Sequence, residues 1–88
     1  MKIVKKAVAG TMESSDAYVE IEPADSLSVE LSSVVFEQFG ESITQTAKEV
    51  LKECGVTGAK VSINDRGALD CVLRARIETA VMRGGEEK

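Results

Sequence analysis

The spacing of apolar residues changes along this chain from a repeat of two, which belongs to half-buried strands, to a repeat near 3.6, which belongs to amphipathic helices. Ala17, Val19 and Ile21 alternate with Tyr18, Glu20 and Glu22, and Leu27, Val29 and Leu31 alternate with Ser28, Glu30 and Ser32. From Phe36 to Cys54 the pattern turns helical, with Phe36, Phe39, Ile43, Ala47, Val50, Leu51 and Cys54 on one stripe, Gly40 a weak point and Gly55 placed to end it. Alternation returns at Ala59, Val61 and Ile63, and a second helical stripe of Leu69, Val72, Leu73, Ile77, Ala80 and Val81 runs within residues 68–82. Residues 3–12, Ala-rich and weakly alternating, add a first strand, with Gly10 as a bulge or bend near its end. The order βββαβα implies an α+β fold in which both helices pack on one face of a small, mostly antiparallel sheet. Pro23-Ala24-Asp25-Ser26 is a turn signal, so the first three strands read as an antiparallel meander. The third strand, first helix and fourth strand read as a right-handed crossover, with the strand order left open.

Eighty-eight residues make one domain, 1–88, in which Gly84 to Lys88 reads as a frayed polar tail. So small a chain has no room for a deep catalytic cleft. It contains no histidine, so the side chain that titrates nearest neutrality is missing as general base or metal ligand. The formal net charge of −4, with Tyr18, Phe36 and Phe39 as the only aromatics, argues against nucleic acid, which requires a basic face and stacking rings. Basic protein partners suit an acidic surface better. The basic start Lys2-Ile3-Val4-Lys5-Lys6 is followed by an apolar run broken at Gly10, Thr11 and Glu13, too short for a signal core, and no stretch has membrane-spanning length. Cys54 and Cys71 fall in different helices without a paired-cysteine motif, which reads as reduced, cytoplasmic and mostly structural thiols.

Chemistry therefore concentrates in Gly10-Thr11-Met12-Glu13-Ser14-Ser15-Asp16, the loop joining the first two strands as a hairpin. Two adjacent hydroxyls at an exposed tip, with no internal base to activate them, suit a residue that another enzyme modifies. In a regular hairpin Ser14 and Ser15 point in different directions, and the sequence leaves open which one faces out. Glu13 and Asp16 are either recognition features for a modifying enzyme or ordinary solvated turn residues. In the later segment Asn64-Asp65-Arg66-Gly67, Asp65 can cap the second helix, Gly67 can take an unusual backbone conformation, and Asp70 suits the positive end of the helix dipole. Asp70–Arg74 and Arg74–Glu78 have the spacing of ion pairs along a helix, and Arg74 or Arg76 could instead clamp phosphates or dock a partner.

The run Ala7-Val8-Ala9-Gly10-Thr11-Met12-Glu13-Ser14-Ser15-Asp16, the stretch Gln38-Phe39-Gly40 and the segment from Asn64 to Arg76 (NDRGALDCVLRAR) together resemble the acyl carrier, or gamma, subunit of citrate lyase. The similarity covers nearly the whole chain. It implies a non-catalytic carrier whose serine directly after Glu13, Ser14, bears a phosphodiester-linked 2'-(5''-triphosphoribosyl)-3'-dephospho-coenzyme A. It also implies alpha (acyl transferase) and beta (citryl lyase) partner subunits, acetyl and citryl thioesters carried between them, and a holo-carrier synthase that modifies the serine. The thioester sulfur would belong to the cofactor, so the protein's own cysteines are not required. Strands around Ser14 set this chain apart from four-helix carriers, which mount their serine at a helix start. The alternatives are a citramalate lyase carrier, a malonate decarboxylase carrier, and a small regulatory or ligand-binding α+β domain with no covalent cofactor. The Glu-Ser-Ser-Asp form of the loop favours the lyases.

Overall fold

The structure, a computed structural model, describes residues 2–34 and 36–85, with the side chains of 36–38 excepted. The elements are β1 (Ala7–Gly10), β2 (Ala17–Pro23), β3 (Leu27–Ser33), α1 (Phe36–Glu53), β4 (Ala59–Asp65) and α2 (Asp70–Gly84). They form the α+β architecture that the periodicity implies, a four-stranded sheet with two helices against it. The register sets apolar side chains in rows across the covered face: Ala9, Val19, Ile63 and Leu31 in one, Ala7, Ile21, Val61 and Val29 in the next. Val19, Ile21, Val61 and Ile63 on the two central strands are buried, each contributing about 1.5–3 kcal/mol of hydrophobic stabilisation. Helix α2 lies over β1 and β2 through Leu73, Ile77, Ala80 and Val81, while α1 packs over β3 and against α2 through Ala47, Val50 and Leu51. Tyr18, Glu20 and Glu22 take the open face, as their alternation requires.

The meander does not form. Strand order is β1-β2-β4-β3, with β4 inserted antiparallel to β2 and parallel to β3. The reason lies in how much each strand can bury. Ala59, Val61, Ile63 and Asp65 are all buried on β4, whereas Leu27, Val29 and Leu31 on β3 are exposed or half-buried, which suits an edge. The link from β2 to β3 passes so close to the start of β4 that a Cβ on Gly58 would lie 2.5 Å from the Ala24 carbonyl oxygen. Glycine is what lets that link step past the intervening strand.

Several boundaries also move. Residues 3–5 leave the sheet: Ile3 bridges to Gly85, and the amides of Val4 and Lys5 donate to the Gly84 carbonyl. Gly84 and Gly85, read from sequence as tail, are thus the buried end of α2 and its bridge. Residues 86–88 of that tail, and the Phe36 and Gln38 side chains, lie outside the described residues. Asn64 and Asp65 belong to β4 and not to a turn, so α2 starts at Asp70. Leu69 and Phe39, expected on buried stripes, are 71% and 53% exposed. Cys71 is exposed and Cys54 half-buried, so neither is the core residue that its type suggested. No helix among the described residues is long and apolar enough to cross a membrane.

Candidate functional site

The first two strands pair with Gly10 opposite Tyr18, and the loop between them closes by a defined turn. The Asp16 amide donates to the Glu13 carbonyl at 3.2 Å, which makes Ser14 and Ser15 the two central turn residues. Ser15 has φ of 66°, the sole positive φ among the described non-glycine residues, and Ser14 has none. A positive φ at the second central position alone is the type II pattern, a position that usually takes glycine or asparagine.

The same residue forms a bulge. Where β2 and β4 run on past their ends, the Ser15 amide donates to the Arg66 carbonyl at 2.8 Å, and the Arg66 amide donates to the Asp16 carbonyl at 2.9 Å. Ser15 and Asp16 together oppose the single residue Arg66, the G1 bulge arrangement with Ser15 at the left-handed position. Ser15 is thereby committed to backbone geometry. Ser14 and Ser15 are both exposed, and neither hydroxyl has a hydrogen-bond partner among the described residues, so the two differ in backbone setting and not in access.

Asp16 braces the loop. Its carboxylate accepts two hydrogen bonds from Arg76 on α2, from Nε at 2.9 Å and Nη2 at 3.0 Å, together with one from the Thr11 hydroxyl at 2.7 Å and one from the Ala17 amide at 2.7 Å. Arg76 foremost, then Thr11 and Ala17, hold this carboxyl well below the ordinary carboxylate range, and the pairing in turn raises the Arg76 guanidinium. Thr11 also accepts from the Glu13 amide at 3.2 Å, tying the first half of the loop to the second. Asp16 is therefore a structural clamp and not a solvated turn residue. A Cβ on Gly10, whose φ is 92°, would lie 1.8 Å from the Ala17 carbonyl oxygen, so glycine is obligatory where the two arms of the hairpin cross.

The later segment supports the loop from behind. Asp65 is 1% exposed; its carboxylate accepts from the Ser33 hydroxyl at 2.8 Å and from the Ala68 amide at 3.0 Å. The expected helix-capping role does not hold, because α2 begins at Asp70 with Leu69 as its N-cap and no side-chain cap bond; Asp65 instead closes the turn after β4 and ties it to the end of β3. Asp70 accepts from the Thr46 hydroxyl at 3.0 Å and stands in the first turn of α2. The helical ion pairs expected for Arg74 do not form. Arg74 reaches across to α1, 3.1 Å from Glu53 and 3.7 Å from Glu49, because that neighbouring helix presents two carboxylates on the facing side. Arg74 and Arg76, read from sequence as able to clamp phosphates or dock a partner, are both paired inside the chain. Partial burial first, then Glu78 and Glu53, raise the Cys54 thiol above its ordinary value, which makes it a poor nucleophile at neutral pH.

The two motifs, fifty residues apart in sequence, thus meet at one end of the sheet, joined by the Asp16–Arg76 pair and the bulge at Arg66. Sequence reasoning missed this contact, since a pairing across sixty residues leaves no local periodicity; it also missed the clamp at Thr11. The positive φ at Ser15 has no signature in a serine. A shallow cleft of about 480 Å³ opens on the uncovered sheet face beside the loop, lined by Met12, Tyr18, Glu20, Glu30, Ser62 and Asn64 among others.

Residues 4–84 match the family model described as Malonate decarboxylase delta subunit (MdcD). The chain is 56% identical over 87 residues to the citrate lyase acyl carrier protein of Haemophilus influenzae strain PittEE, covering 99% of this chain and 92% of the relative. It is 52% identical over 89 residues to the protein of the same name from Escherichia fergusonii, with the same coverage. Among solved structures, the fold is similar, at a TM-score of 0.77 and 25% identity, to a chain in the crystal structure of a Pseudomonas malonate decarboxylase hetero-tetramer in complex with malonate, over 97% of this chain and 93% of that one. A fold, two joined motifs and full-length identity at this level lead to one assignment: the chain belongs to the citrate lyase acyl carrier protein family, whose members are carriers and not catalysts.

Proposed function

We propose that this chain is the acyl carrier subunit of a citrate lyase and that Ser14 is the point at which its coenzyme-A-like group is joined through a phosphodiester. The observation that carries the reading is the division of labour in the turn. Both hydroxyls are exposed and unengaged by the described residues, but the Ser15 backbone is held at the left-handed bulge position, whereas Ser14 beside it has no positive φ and takes no part in the bulge. These residues fit a covalently tethered group: an accessible hydroxyl, a loop braced on both sides, and an open cleft beside it.

Ser14 would hold a 2'-(5''-triphosphoribosyl)-3'-dephospho-coenzyme A unit, whose terminal thiol supplies the thioester chemistry. The chain's own residues fix the base of the tether. Asp16, Arg76, Thr11 and the bulge keep that base in one place, so the arm's reach rather than loop motion sets the effective concentration at each catalytic site. The protein's thiols stay out of the exchange: Cys54 is held protonated at neutral pH, and neither Cys54 nor Cys71 is in a disulfide. The partners we assign are the alpha acyl transferase, the beta citryl lyase and the synthase that attaches the group, in the cytoplasm. High identity to named citrate lyase carriers favours citrate over citramalate.

The test is intact mass and peptide mapping of the chain from its native host. A large adduct is expected on the Ser14 peptide, lost in Ser14→Ala and kept in Ser15→Ala. An unmodified Ser14 in an active lyase complex would reject the reading.

A further inference from the structure

Five other cations among the described residues are engaged. Arg76 binds Asp16, Arg74 binds Glu49 and Glu53, Lys6 lies 3.8 Å from Glu20 and Lys60 4.0 Å from Glu30, and Arg83 donates to the Val8 carbonyl at 2.9 Å. Arg66 differs. Its side chain is exposed and makes no hydrogen bond or ion pair with a described residue, yet its backbone is fixed on both sides to the bulge at Ser15 and Asp16. Asp65, buried and doubly bonded, anchors the residue just before it. Alternation along β4 turns Arg66 away from the face that buries Asp65, toward the open face. An exposed guanidinium on a fixed backbone thus stands across the strand pair from the turn that carries Ser14.

We infer that Arg66 holds the anionic phosphate joined to the Ser14 hydroxyl, as the positioning residue at the base of the tether. The inference rests on Ser14 as the attachment point. A phosphate there stands next to the exposed carboxylate of Glu13. The remaining acidic groups around it are already matched: Asp16 by Arg76, and Glu20 and Glu30 by lysines on the open face. Arg66 is the charge that offsets Glu13, and a planar guanidinium can take two phosphate oxygens at once.

The experiment uses the full chain with phosphoserine incorporated at position 14, followed by phosphorus NMR through the second ionisation, which lies near pH 6 for a free phosphoserine. A nearby cation favours the dianion, so the midpoint in wild type and in Arg66→Lys is expected about half a unit below that in Arg66→Gln. Arg66→Met replaces the glutamine variant should thermal unfolding show that one to be misfolded. Attachment of the authentic group by its synthase, scored by mass, is expected to slow about tenfold in Arg66→Gln and to recover in part in Arg66→Lys. Equal midpoints and equal attachment rates would overturn the role of Arg66 while leaving Ser14 as the tether. A native chain unmodified at Ser14 would overturn the functional reading itself.

Discussion

Replacing Ser15 with glycine should stabilise this protein, and the same change at Ser14 should not. Ser15 has φ of 66°, where a side chain's Cβ approaches the following carbonyl, at a cost of roughly 1–2 kcal/mol for an L-residue. Glycine removes that strain but gives up about 0.5–1 kcal/mol of backbone entropy on folding. No hydrogen bond of the Ser15 hydroxyl offsets the difference among the described residues, so the net gain is on the order of 0.5–1 kcal/mol. For a domain of this size that corresponds to a rise in Tm of about 2–8 °C. At Ser14, where φ is not positive, only the entropic loss remains, and Tm should fall by a similar amount. Thermal unfolding by circular dichroism on the two glycine variants and wild type measures both signs at once. If Ser15→Gly proves as destabilising as Ser14→Gly, the bulge does not hold Ser15 as described, and the argument that separates the two serines collapses with it.

Two further outcomes bear on the hairpin. Gly10→Ala, which sets a Cβ 1.8 Å from the Ala17 carbonyl oxygen at φ of 92°, should lower stability by on the order of 3 kcal/mol in urea unfolding, and a loss under about 1 kcal/mol would show that the crossing of the two arms is looser than drawn. Asp16 titrates below its ordinary value of 3.8 in the folded chain, so its contribution is complete above that value and disappears as the pH falls through the depressed one. The stability difference between wild type and Asp16→Asn should therefore be constant between about pH 5 and pH 8 and shrink below about pH 4; a difference that grew on acidification would have the wrong sign. The raised Arg76 value adds no pH dependence in that window, because arginine is charged throughout it.

The α+β class, the six elements in order and the burial of alternate residues on β2 and β4 were legible in the sequence, because periodicity records which face of an element meets the core. The loop and its two serines were legible too, since a polar, glycine-led segment between two strands can hardly be anything but a hairpin turn. Strand order was not, because an alternating strand shows which face it buries and not which strand lies beside it. Only packing showed that β4, with its four buried positions, takes the centre and β3 the edge. Tertiary structure likewise converted Asp16 from a turn residue into a clamp and drew Arg76 and Arg74 into internal pairs, both across distances that local patterns do not encode. It also gave Ser14 and Ser15 different backbone settings. Their identical chemistry gave the sequence no means of ranking them by geometry, whereas one backbone angle, accompanied by a bond to the Arg66 carbonyl beyond β4, places the second serine alone at the left-handed bulge position.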